Sequence, residues 1–187
     1  MSKQTLAQDP EISTGETRNY SEKTFRDCRI VGKNYERGSA FVFDVHAANS
    51  PVAAEPSALY VLLERKIDVF VPMLTGFMEE GLIPWGLIIF CPCGWLNPSL
   101  PGGTPRRMRA EEFDQLGSEF SDFLIEELIP EACRLTGTKL SSSPDMHFIH
   151  GSSSGGMAAW NAVWFRNDYF RRAFLSSPTF SSYSEVL

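Results

Sequence analysis

The sequence predicts an α/β protein in which a mostly parallel sheet carries helices on both faces. Three observations lead there. Short segments at 58–63, 85–91 and 146–150 read as buried strands, the first a continuous apolar run of the kind that fills a strand covered on both sides. Between the first two, Ile67, Phe70, Val71, Leu74, Phe77 and Met78 fall at i, i+3, i+4, i+7 spacing, which makes a helix. Strand, helix, strand is a unit that implies parallel pairing. Finally, Gly151-Ser152-Ser153-Ser154-Gly155 joins the third run to a helical segment, 157–165, with Met157, Trp160 and Trp164 on one stripe.

At 187 residues the chain reads as one domain, able to bury about 70% of its unfolded surface. Residues 1–22 are polar and without periodicity and read as a flexible arm, leaving 23–187 as the folded unit. A net charge of −6 argues against nucleic-acid or anionic-membrane partners, which need a basic face. Cys28, Cys91, Cys93 and Cys133 form no C-x-x-C pair and no zinc spacing, so free thiols are expected, with no metal and no cofactor. The N-terminus lacks an apolar signal segment. The longest apolar run, 82–93, is too short to span a bilayer. A reducing, cytoplasmic setting is the expectation.

Two strands are expected early, at 24–31 and 40–46, the second with Phe41, Phe43 and Val45 alternating with Val42, Asp44 and His46. His46 closes that strand and reads as a surface histidine. Residues 49–56 form a Pro/Ala linker. The strand 58–63 follows, then the 67–78 helix with Gly81 as its stop, then the strand 85–91. A Pro/Gly loop at 97–105 leads to Arg106, Arg107 and Arg109. These arginines could bind an anionic substrate, but pairing with Glu111, Glu112 and Asp114 is the favoured reading. One long amphipathic helix is expected over 111–135, with Phe113, Leu116, Phe120, Phe123, Leu124 and Leu128 on its dry stripe and Gly137 as its stop. A last strand is expected at 170–175.

The G-x-S-x-G stretch carries the chemistry. A strand turning sharply into a helix holds one serine, Ser153, in a strained conformation at the tip, with its Oγ aimed off the end of the sheet. Gly151 and Gly155, at −2 and +2, let the neighbouring backbone pass closely. The backbone N–H of Ser154, at the start of the helix, is placed to hold an oxyanion. Only Ser153 has glycine at both positions, which fixes the register. The competing reading is a Gly/Ser loop between two ordinary elements.

With these residues in hand, the chain resembles serine esterases of the enterochelin-esterase and esterase D type, in the α/β-hydrolase fold. The likeness is carried by Gly151-Ser152-Ser153-Ser154-Gly155-Gly156 through Trp160-Asn161-Ala162-Val163-Trp164, by Tyr169-Phe170-Arg171-Arg172-Ala173-Phe174-Leu175-Ser176-Ser177, and by Glu112-Phe113-Asp114 leading to Leu128-Ile129-Pro130-Glu131. The resemblance covers about 58–182. It implies hydrolysis of a small-molecule carboxylic ester through an acyl-enzyme, with Ser153 as nucleophile and the Ser154 N–H as one oxyanion donor. Two departures stand out. The family places an acidic residue and then glycine after the strand ending near Leu63, where this chain has Glu64-Arg65; the second oxyanion donor is therefore open. In this fold the triad runs Ser, Asp or Glu, His, yet 154–187 contains Asp168 and Glu185 and no histidine.

The expectation is thus a hydrolase-like domain truncated before the strands that carry acid and base. His147 and His150 read as satisfied strand histidines rather than bases, His46 as too distant, and Asp168 as a surface residue. The alternative is a catalytically silent binding domain, and acyl transfer would use the same acyl-enzyme. A sheet cut after 170–175 is expected to self-associate through its bare edge.

Overall fold

The computed structural model describes residues 13–20, 23–32, 39–48, 56–64, 66–93, 95–96, 106–107 and 109–180. Its strands are β1 (Ser13–Tyr20), β2 (Lys23–Gly32), β3 (Ser39–Ala48), β4 (Ala58–Leu62), β5 (Gly86–Phe90), β6 (Trp95–Leu96), β7 (Arg106–Arg107), β8 (His147–Ser152) and β9 (Arg172–Ser176). The sheet runs β1-β2-β3-β5-β4-β8-β9, with β6 and β7 off this path. The half holding β5, β4, β8 and β9 is parallel. The N-terminal half, β1, β2 and β3 joined to β5, is antiparallel, so the sheet is mixed. Strand β1 lies within the stretch expected to be an arm; 13–20 instead pair with β2. The linker at 49–55, the loop at 97–105 and Glu185 lie outside the described residues.

Alternation along the parallel strands builds two cores, one on each face. Leu59, Val61 and Leu63 join Leu87, Ile89, Ile149 and the small residues Ala158, Ala159 and Ala162. Those alanines belong to α5 (Ser154–Phe165). Tyr60 and Leu62 point the other way, toward Ile88, Phe90, and Val71 and Met78 of α1 (Ile67–Glu79). Leu59, Ile88, Ile89 and Phe90 are fully buried, each contributing about 1.5–3 kcal/mol. Helix α1 ends two residues before Gly81, which takes a left-handed φ of +72°. No helix of the described residues is long and apolar enough to cross a membrane.

The helix expected over 111–135 is interrupted. The structure has α2 (Arg109–Glu112), then α3 (Glu119–Phe123), a π-helical turn (Leu124–Leu128) and α4 (Ile129–Thr136). Residues 113–118 leave the helix because their backbone is used elsewhere: Asn161 on α5 donates to the Gln115 carbonyl at 2.6 Å. The apolar stripe hides the break, since Phe113 still packs edge-on against Phe120 at 5.0 Å. Leu116, counted in that stripe, is exposed. Gly137 does stop the last segment, in a left-handed cap at φ 68°.

His46 is a second correction. It is buried, with its ring edge-on to Phe90 at 5.6 Å. Strand β3 is flanked by β2 and β5, so the position at its end lies inside the sheet rather than at a surface.

Candidate active site

Strand β8 runs into the core as His147-Phe148-Ile149-His150-Gly151-Ser152 and turns into α5 at Ser153. Ser153 has φ +56° and ψ −123°, a region that costs a non-glycine residue roughly 1–3 kcal/mol. The surroundings hold it there. Its N–H donates to the Ser176 carbonyl at 3.1 Å, and its carbonyl accepts from the N–H groups of Gly156, Met157 and Thr179 at 2.9, 3.3 and 3.1 Å. Ser154 is the buried first residue of α5, and a helix's first N–H groups have no intrahelical acceptor.

The glycines divide differently from the sequence expectation. A Cβ on Gly151 would lie 2.0 Å from the Gly155 carbonyl oxygen, so only glycine fits. At Gly155 the nearest atom to an added Cβ is the Leu63 carbonyl at 3.4 Å, a tight but tolerable contact. The closed position is Gly156, where a Cβ would meet Pro178 at 2.8 Å. Pro178 belongs to a return segment after β9 that wraps the turn, and its neighbour Ser177 is also forced to a positive φ, 45°.

The Ser153 Oγ lies 3.2 Å from the Thr179 hydroxyl. No histidine among the described residues is its partner. His147 and His150 are buried and spoken for: the His147 ring nitrogens face the carbonyls of Tyr169 and Ser141 at 3.0 and 2.9 Å. The Nδ1 of His150 is 2.8 Å from the Phe174 carbonyl, and its Nε2 is 3.6 Å from Glu64 Oε1. Its ring packs on Phe70 of α1 at 5.2 Å, which puts it beneath the turn on the α1 face. His46 is three strand positions from β8, across β5 and β4, or about 14 Å at sheet spacing. Asp168 is a surface residue tied to Arg166 at 3.1 Å. That hydrogen bond, with the guanidinium charge, holds its carboxyl below the ordinary value.

Above the turn lies a cavity of about 240 Å³. It opens at the carboxyl ends of β4, β5 and β8, where open α/β sheets bind ligands. Leu63, Glu64 and Lys66 line it after β4, and Pro92 and Cys93 after β5; Ser152, Arg107, Arg109 and Phe113 close it. Of the segment after β4, Arg65 lies outside the described residues. Arg109 departs from the favoured ion-pair reading. Its Nη2 donates to the Ser152 carbonyl at 3.4 Å, while Asp114 is buried with its Oδ1 unpartnered.

Three features of the site escape sequence reasoning. Thr179 and Pro178 reach the turn only because β9 returns beside it, and no periodicity marks such a contact. Arg109 carried a signal, the basic cluster, but its direction depends on the break after α2.

No family model matches the chain, and none of the curated proteins matches it. Solved structures do. An enterochelin esterase from Shigella flexneri aligns at TM-score 0.63 and 18% identity, over 91% of this chain and 38% of that one. A ferric enterobactin esterase from Salmonella typhimurium aligns at 0.64 and 17%, over 90% and 40%. A siderophore hydrolase, EstB, from Aspergillus nidulans aligns at 0.59 and 14%, over 97% and 61%. The chain therefore spans about two fifths of the length of the two enterobactin esterases. At these identities the likeness establishes the fold alone, an α/β sheet with helices on both faces that the chain shares with these structures.

Proposed function

We propose that Ser153 is the nucleophile of a carboxylic ester hydrolase that works on a small-molecule ester through an acyl-enzyme. The observation that carries this is the strained Ser153 backbone, φ +56°, at a strand-to-helix turn whose preceding residue, Ser152, lines a cavity. Ordinary loops have no reason to hold a serine so. In the reaction Oγ attacks the ester carbonyl, and the Ser154 N–H receives the developing oxyanion. The alcohol then leaves, and water releases the acid. The base that takes the Oγ proton comes from polypeptide outside the described residues, because the three histidines of the chain are engaged or distant. Without it, turnover falls on the order of a millionfold.

The competing reading is a catalytically silent, hydrolase-like binding domain. It is favoured by one contact: the serine hydroxyl meets a threonine hydroxyl at 3.2 Å, which is no base.

A fluorophosphonate probe separates the two. Slow labelling is expected on Ser153, absent in Ser153→Ala, and accelerated by free imidazole supplied as a substitute base. Labelling no greater than in Ser153→Ala, with or without imidazole, would leave the silent domain. Rapid labelling without imidazole would mean that a base already reaches the serine within this chain.

A further inference from the structure

The cavity beside Ser153 is cationic in a protein whose net charge is −6. Lys66, Arg107 and Arg109 border it against one acid, Glu64. That acid is turned toward His150, 3.6 Å away, in a pair whose side chains are only 14% and 9% exposed. Arg109 is the half-buried cation closest to the chemistry. Its hydrogen bond to a described residue is to the carbonyl of Ser152, at 3.4 Å, and a guanidinium has five N–H donors in a planar fork. A fork held at one corner presents the rest to a carboxylate, the geometry that arginine matches in bidentate fashion. Lys66 has an exposed side chain on the same rim.

Distance limits the ligand. Ser152 and Ser153 are consecutive, so their Cα atoms are about 3.8 Å apart. Arg109 is held on the carbonyl of the residue that precedes Ser153, so an anion on its guanidinium lies a short reach from an ester carbonyl at Ser153. The cavity is also smaller than those that enclose drug-sized ligands, about 300–1,000 Å³, so it suits one short arm.

The geometry points to a carboxylate-binding subsite: Arg109, with Lys66 and Arg107, receives the free acid of a half-ester of a short dicarboxylic acid. This rests on Ser153 as the nucleophile, and it names the substrate class of that site.

Binding to the Ser153→Ala protein tests it without turnover. Ligand-observed NMR would compare monomethyl succinate with dimethyl succinate, which share a skeleton and differ by one charge. The monoester is expected to bind about tenfold more tightly, the scale of a charge-assisted pair. The preference should vanish in Arg109→Gln and shrink as salt is raised. Lys66→Gln, at an exposed position, should weaken it partially while leaving the melting temperature unchanged, which guards against misfolding as the cause. Equal binding of the two esters, no binding of either, or a preference that survives Arg109→Gln would overturn the assignment. So would inorganic phosphate displacing the monoester at equal concentration, which would make this a site for any small anion. Failure of Ser153 as nucleophile would appear separately, in the labelling experiment.

Discussion

Around Ser153 the chain leaves almost no room, and one strand away, along β9, it leaves a great deal. A methyl group on Gly151 would collide with backbone at 2.0 Å, and the backbone of Ser153 is bonded both to its own helix and to Ser176 and Thr179 of the returning segment. On β9, by contrast, Arg172, Ala173 and Phe174 are exposed, Phe174 by 70%, and Trp164 on the adjoining helix by 62%. Among the described strands β9 has one neighbour, β8. The difference separates two tasks. Strain at Ser153 is made by one strand, one turn and one helix, closed over by the segment returning from β9. Activation of Ser153 as the proposed nucleophile would instead need a base from elsewhere in space, since no histidine among the described residues is its partner.

The largest effect should come from breaking the closed region. Gly151→Ala must displace backbone rather than a flexible side chain, so a loss of more than about 3 kcal/mol is expected, the upper end for overpacking. Gly155→Ala should stay within about 0.5 kcal/mol, since its added methyl makes only a tight contact and alanine suits the first turn of α5. Urea denaturation of both variants decides it; equal losses would mean that the turn is looser than the structure.

The open region should respond to charge instead. With one side of β9 unpaired among the described strands and apolar side chains beside it, the chain is expected to self-associate. Replacing both Phe174→Lys and Trp164→Lys should shift light scattering from oligomer toward monomer with little change in stability. A parent chain that is already monomeric would remove the reason for the prediction.

The closed region was also the legible one. Strands β4, β5 and β8, helix α1 and the serine turn follow from apolar runs and a motif, because each is decided by residues close in sequence. The break at 113–118 was not legible, since Phe113 and Phe120 keep the helical stripe while Asn161, far along the chain, captures the Gln115 carbonyl. The burial of His46 was hidden for a similar reason: it depends on β5 lying beside β3. Gly156 mattered more than Gly155 because of Pro178, which arrives 22 residues later.

A smaller effect probes the packing between the two regions. Tyr169, its ring tilted against that of His147 at 4.5 Å, has its phenol pushed up to about 12 by burial. Tyr60, whose hydroxyl donates to the Pro84 carbonyl at 2.8 Å, is raised by burial as well. A raised phenol in the folded state means that the unfolded chain loses its proton first. The contribution is therefore complete below about pH 10, the ordinary tyrosine value, and for Tyr169 is lost as pH climbs from there to about 12. Stability should fall over that window and fall less in Tyr169→Phe; parallel pH profiles for parent and variant would contradict it.

The subtlest measurement bears most directly on the proposed nucleophile. If φ +56° at Ser153 is strained, glycine should relieve it, while alanine should remove the hydroxyl and keep the strain. Glycine also loosens the unfolded chain, which returns about 0.5–1 kcal/mol of the gain. Ser153→Gly is thus expected to be about 1 kcal/mol more stable than Ser153→Ala, although both lose the contact with Thr179. Comparing these two variants with each other cancels the hydroxyl and leaves the backbone. Alanine equal to or above glycine would mean that the turn is relaxed, and a relaxed turn is what a plain Gly/Ser loop would have.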